Sequence, residues 1–142
     1  MNFASIFLLA AISTNLSEPV DYSTAYENAT KGNKPLLVLV TADWCPPCRT
    51  MKNSVLPELI RKNSFNDYYF ATVDFDQEKE LAQKLVQNRG IPQLLLYEKN
   101  EEGNWKLNYL SGAQSVEVVE TFLSNSQTRR TARSESDSKV GH

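Results

Sequence analysis

The chain has 142 residues, which fits a single domain. Hydrophobic residues make up 41% and charged residues 23%, with a net charge of -2, so no strong field exists to steer nucleic acid or anionic membranes. No basic stripe interleaved with aromatics and no glycine-rich phosphate loop occurs, which excludes nucleotide and nucleic-acid functions.

Residues 3–12, FASIFLLAAI, are apolar except for Ser5. The run is too short to span a bilayer but fits the apolar segment of a secretory signal peptide. Small and polar residues follow in STNLS, and Ala11 and Ser13 form a small-x-small cleavage pattern. No Lys or Arg precedes the run, so only the amino terminus supplies positive charge. A buried N-terminal strand or helix is the competing reading. We expect residues 1–17 to be a signal peptide. The protein is then exported, periplasmic or secreted, in an oxidising compartment where disulfides persist. Without a signal it would be cytoplasmic.

Residues 22–33 carry helical spacing, with Tyr22, Ala25, Tyr26 and Ala29 on one stripe and Gly32 and Asn33 as a stop. Residues 35–40, PLLVLV, form a continuous apolar run, typical of a strand covered on both faces. From Pro46 onward Cys48, Met51, Val55 and Leu59 lie at helical spacing, and Pro57 must interrupt or kink this helix. Residues 68–75, YYFATVDF, predict a second strand. Residues 77–88 are amphipathic through Leu81, Leu85 and Val86, and Arg89-Gly90 ends that helix. Residues 92–97, PQLLLY, predict a third strand, and residues 99–104 a turn. Residues 105–110 predict a fourth strand in an antiparallel hairpin with the third. A last helix is expected over 115–123, with Val116, Val119 and Leu123 inward and Ser115 as cap.

From Ser124 the chain reads SNSQTRRTARSESDSKVGH, with no aromatic and almost nothing apolar. We expect residues 125–142 to be a disordered polar tail, with Arg129, Arg130 and Arg133 solvated. The only histidine, His142, ends this tail, which removes Cys-His and Ser-His catalytic arrangements. The folded domain is expected over 18–124. Its order of helices and strands predicts an α/β fold with a mixed, partly parallel central sheet flanked by helices.

Both cysteines sit in residues 41–49, TADWCPPCR. A structural disulfide there would close a very short loop and contribute little stability. Zinc normally takes four ligands, and this pair supplies two, so no metal is expected. Inert buried thiols fit poorly with Pro46 and Pro47, which put Cys45 at a helix start. There, unpaired N–H groups and partial positive charge favour the thiolate, which is the nucleophile. Arg49 adds a cation, Asp43 opposes the thiolate, and Cys48 lies one turn further on. The strand, Cys-x-x-Cys and helix together point to redox chemistry.

TADWCPPCR after an apolar strand, followed later by RGIPQLLLY, resembles the thioredoxin superfamily over residues 22–124. The resemblance implies the thioredoxin fold with a four-stranded sheet, and a thiol-disulfide oxidoreductase that reduces rather than oxidises. It implies a cis bond before Pro92, facing the cysteines, and an Ile91 backbone that pairs with bound substrate. Trp44 would shield the disulfide and touch substrate. No bound cofactor is required. The expected partners are protein or small-molecule disulfides and an external thiol donor or membrane electron carrier, acting on a monomer. CPPC resembles tryparedoxins, nucleoredoxins and secreted bacterial thioredoxin-like reductases. Cytosolic thioredoxin has a buried Asp six residues before the first Cys, and here that position is Leu39. Its lysine neighbour aligns with Thr72, and Asp43 and Glu58 are the candidates to replace the acid. The rival of another class is a peptide-binding or chaperone-like module that uses the Ile91-Pro92 groove without turnover.

Overall fold

The computed structural model describes residues 19–140. The expected signal peptide and His142 lie outside the described residues. Helix α1 (Tyr22–Lys31) begins at Asp21, whose carboxylate accepts the Thr24 N–H at 3.0 Å. It ends at Gly32, whose N–H reaches the Asn28 carbonyl at 2.7 Å. Only glycine fits there: a Cβ would lie 2.6 Å from the Tyr69 hydroxyl and 2.8 Å from the Asn28 carbonyl oxygen.

Strand β1 (Leu36–Thr41) is buried along its whole length. It pairs in parallel with β2 (Tyr69–Asp74) and antiparallel with β3 (Gln93–Lys99), and β3 pairs antiparallel with β4 (Trp105–Ser111). The sheet order is β2-β1-β3-β4. Side chains alternate across a strand, so β1 feeds two cores. Leu37 and Leu39 join Met51, Val55, Leu59, Leu94 and Val119 on one face. Leu36, Val38 and Val40 join Ala25, Ala29, Leu85 and Leu95 on the other. The four-stranded mixed sheet between helices is the expected architecture.

Pro57 acts as expected, in a particular way. Helix α2 (Pro46–Thr50) passes through a π-helical turn (Met51–Val55) into α3 (Leu56–Arg61). The Leu56 N–H bonds to the Met51 carbonyl, one residue further back than in an α-helix. Pro57 has no N–H to continue the ladder and its ring crowds the carbonyl four residues back, so the helix widens just before it. Helix α4 (Lys79–Val86) follows β2.

The C-terminal end corrects an expectation. Helix α5 (Val116–Val140) does not stop near Leu123; it continues through residues 125–140, where we expected a disordered tail. Polar contacts hold it. Ser126 is buried and its hydroxyl donates to Glu98, a buried carboxylate on β3. Arg129 also lies 3.4 Å from Glu98, and Arg133 donates to the Lys99 carbonyl at 3.0 Å. Arg130 lies 3.9 Å from Glu98, and Gln127 donates to Asp67 at 2.7 Å. These arginines are therefore partnered rather than simply solvated.

Candidate redox site

β1 ends at Thr41, and the chain turns through Ala42, Asp43 and Trp44 into α2. Cys45 is the N-cap of α2, and Pro46 and Pro47 fill its first two positions. Neither proline has an N–H, so the first helical donor is that of Cys48. It points at Cys45 Sγ, 3.3 Å away. Cys45 and Cys48 are joined in a disulfide with Cα atoms 5.2 Å apart. Cys48 is fully buried and Cys45 is 4% exposed, so the one accessible edge of the pair belongs to Cys45.

Across from the pair, the Ile91–Pro92 bond is cis, and the Ile91 carbonyl oxygen lies 3.9 Å from Cys45 Sγ. Ala42, Phe75 and Ile91 pack around the disulfide. Phe75 was not singled out by sequence reasoning. Its signal was its place at the C-terminal end of β2: its N–H donates to the Thr41 carbonyl at 2.8 Å, which sets it beside the turn into α2. Trp44 is 61% exposed, so its indole faces solvent next to Cys45.

The charges differ from the simple opposition of Asp43 and Arg49. Lys52 Nζ lies 2.6 Å from Asp43 Oδ1. Its hydrogen bond, with its charge, holds the Asp43 carboxyl below the ordinary value. Arg49 donates to the Asp43 carbonyl oxygen at 3.1 Å. Lys52 was missed, although it lies one helical turn beyond Cys48 and so on the same face.

Leu39 is buried, pairing with Thr72 on one side and Leu94 on the other. Neither proposed replacement acid is buried: the Asp43 and Glu58 side chains are exposed and paired with Lys52 and Arg61. Among the described residues the buried carboxylate is Glu98. It stands five residues along β3 from Gln93, about 17 Å from the cysteine end of the sheet. A Leu39→Asp variant should therefore lose about 1–3 kcal/mol of stability. Burial raises the new carboxyl's folded pKa above its unfolded value of about 3.9, so the loss should grow as pH rises past that value. Urea denaturation at pH 4 and pH 8 checks this. Equal stability to the parent at pH 8 would mean a wet site.

The thioredoxin family model matches residues 19–125. A thioredoxin H-type of Brassica oleracea is 33% identical over 107 residues, covering 75% of this chain and 80% of that protein. Thioredoxin Asp f 29 of Aspergillus fumigatus is 26% identical over 93 residues, covering 66% and 83%. Among solved structures, thioredoxin from Trypanosoma brucei brucei superposes with a TM-score of 0.62 at 19% identity, covering 84% of this chain and 99% of that one. A Thermus thermophilus thioredoxin gives 0.61 at 22% identity, covering 74% and 82%. With the Cys-x-x-Cys pair at the end of the central strand, this chain belongs to the thioredoxin family and is a thiol-disulfide oxidoreductase of the protein-disulfide reductase kind.

Proposed function

We propose that Cys45 is the attacking sulfur and Cys48 the resolving one. In the reduced protein the Cys45 thiolate attacks one sulfur of a substrate disulfide and expels the other as a thiolate. Cys48 then loses its proton and attacks Cys45 Sγ. That expels the second substrate thiolate and leaves the Cys45–Cys48 disulfide. Two electrons have passed to the substrate, and each expelled thiolate takes up a proton. An external dithiol donor or membrane electron carrier reverses these steps and restores the pair. The backbone of Ile91 pairs with an extended substrate segment, Pro92 faces the disulfide, and Trp44 covers its flank. Asp43, Pro46, Pro47 and Arg49 modulate the thiolate.

The observation that carries this reading is the Ile91 carbonyl 3.9 Å from Cys45 Sγ, a peptide group presented beside the accessible sulfur. Insulin reduction with dithiothreitol tests it. Wild type should accelerate the reaction, and Cys45→Ser should fall to background. Turnover by Cys45→Ser would sink the assignment, and no acceleration by wild type would favour a peptide-binding module.

We further infer an exported monomer. The apolar run at 3–12 and the small-x-small pattern after it support export. The mature protein should then start after about Ser13 to Ser17. N-terminal sequencing from the native compartment, with size-exclusion chromatography, checks both points. An intact Met1 on a cytosolic product overturns export, and elution as a dimer overturns the monomer.

A further inference from the structure

The end of the sheet remote from the disulfide carries features that thiol-disulfide exchange does not use. Lys34, Lys99 and Arg130 line a cavity of about 150 Å³ together with Glu98 and Trp105. Three cations share it with one carboxylate, which accepts from Ser126 and Asn108 and lies against both Arg129 and Arg130. Lys34 Nζ donates to the Asn66 carbonyl and Lys99 Nζ to the Thr30 carbonyl, each at 2.7 Å. An ammonium has three donors, so each lysine keeps capacity for an anion. Arg130 is held over the Tyr68 ring, 5.2 Å from its centroid.

Trp105 also lines a second cavity, of about 130 Å³, whose walls include Tyr22, Tyr26 and Tyr97. Tyr22 and Tyr26 are stacked at 5.9 Å, and Tyr26 lies tilted to Trp105 at 6.4 Å. An apolar cavity of about 150 Å³ can hold a benzene ring, so this one has the scale of a single aromatic ring. Arg130 comes from the part of α5 beyond residue 125, where the family match ends. Of the three cations, Lys34 and Lys99 lie within the matched residues and Arg130 lies beyond them.

We propose that this end of the molecule binds a small organic anion bearing one aromatic ring. The ring enters the tyrosine-lined cavity against Trp105, and the charge lies among Lys34, Lys99 and Arg130. Aromatic faces and half-buried cations each reward one half of such a ligand.

Phenyl phosphate, inorganic phosphate and phenol, titrated separately into the full chain, test this. The readout is the indole N–H resonances of Trp105 and Trp44. Phenyl phosphate should move Trp105 and leave Trp44 still, and should bind at least about tenfold more tightly than either fragment. Arg130→Gln should weaken it about tenfold while leaving insulin reduction unchanged. Lys34→Gln, outside the Glu98 contacts that anchor α5, should do the same and keeps the test open if Arg130→Gln fails to fold. The proposal is overturned if Trp105 does not move or if Trp44 moves instead. Equal affinity for phenyl phosphate and inorganic phosphate, or no effect of Lys34→Gln, also overturns it.

Discussion

A Cys48→Ser variant should accumulate substrates as mixed disulfides through Cys45, and Cys45→Ser should accumulate almost none. The first variant can start the exchange but has no internal thiol to finish it. The second keeps only a sulfur that is fully buried. Cys45 is the N-cap residue, and its sulfur accepts the Cys48 N–H at 3.3 Å, an interaction that favours the thiolate. Non-reducing electrophoresis followed by mass spectrometry reads the trapped species, and alkylation of the reduced protein against pH reads which thiol ionises first. If Cys48 reacts at lower pH than Cys45, the two roles are exchanged.

The Cys45–Cys48 couple should have a potential nearer the roughly -270 mV of thioredoxin than the roughly -120 mV of a strong oxidant. That gap of about 150 mV corresponds to about 7 kcal/mol, since about 30 mV is 1.4 kcal/mol for a two-electron couple. A strong oxidant gains it by stabilising its thiolate, with a pKa near 3.5 against about 7 for thioredoxin. This site has little to do so with. Pro46 and Pro47 stand between the cysteines and remove two N–H donors. Asp43 is matched by Lys52, and Arg49 is turned onto a backbone carbonyl. Equilibration with glutathione buffers, followed by tryptophan fluorescence, measures the value. A potential above about -150 mV would make the couple an oxidant of most partners. A Lys52→Gln variant should shift it to more negative values, because an uncompensated Asp43 disfavours the thiolate.

Much of this architecture was legible because burial leaves a pattern. The six residues of β1 are buried and all apolar but Thr41, the pattern of a strand covered on both faces, and β1 lies inside the sheet between β2 and β3. The pairing of Leu39 with Thr72 followed from the resemblance and appears in the register of β1 on β2. The second half of α5 left no such pattern. It docks through Ser126, Arg129, Arg130 and Arg133, and hydrogen bonds carry no hydrophobic period. Its anchor, Glu98, reads in sequence as an ordinary charge at the end of a strand, although it is buried. Near the cysteines, Phe75 was missed because it reaches the site from another strand, a contact that local spacing does not report. Lys52 was missed although its place four residues after Cys48 puts it on the same helix face.

The burial of the pair also bears on how the protein keeps its electrons. Thiol exchange requires a thiolate to approach a sulfur directly, so its rate depends on access. Here one sulfur is sealed and the other is 4% exposed under Ile91 and Phe75. A small thiol in bulk solution can approach only at the Cys45 edge. Under the proposed docking, a protein partner that lays its backbone along Ile91 would arrive already aligned. Such a site exchanges with the surrounding thiol pool, but it should favour discharge to partners that fit.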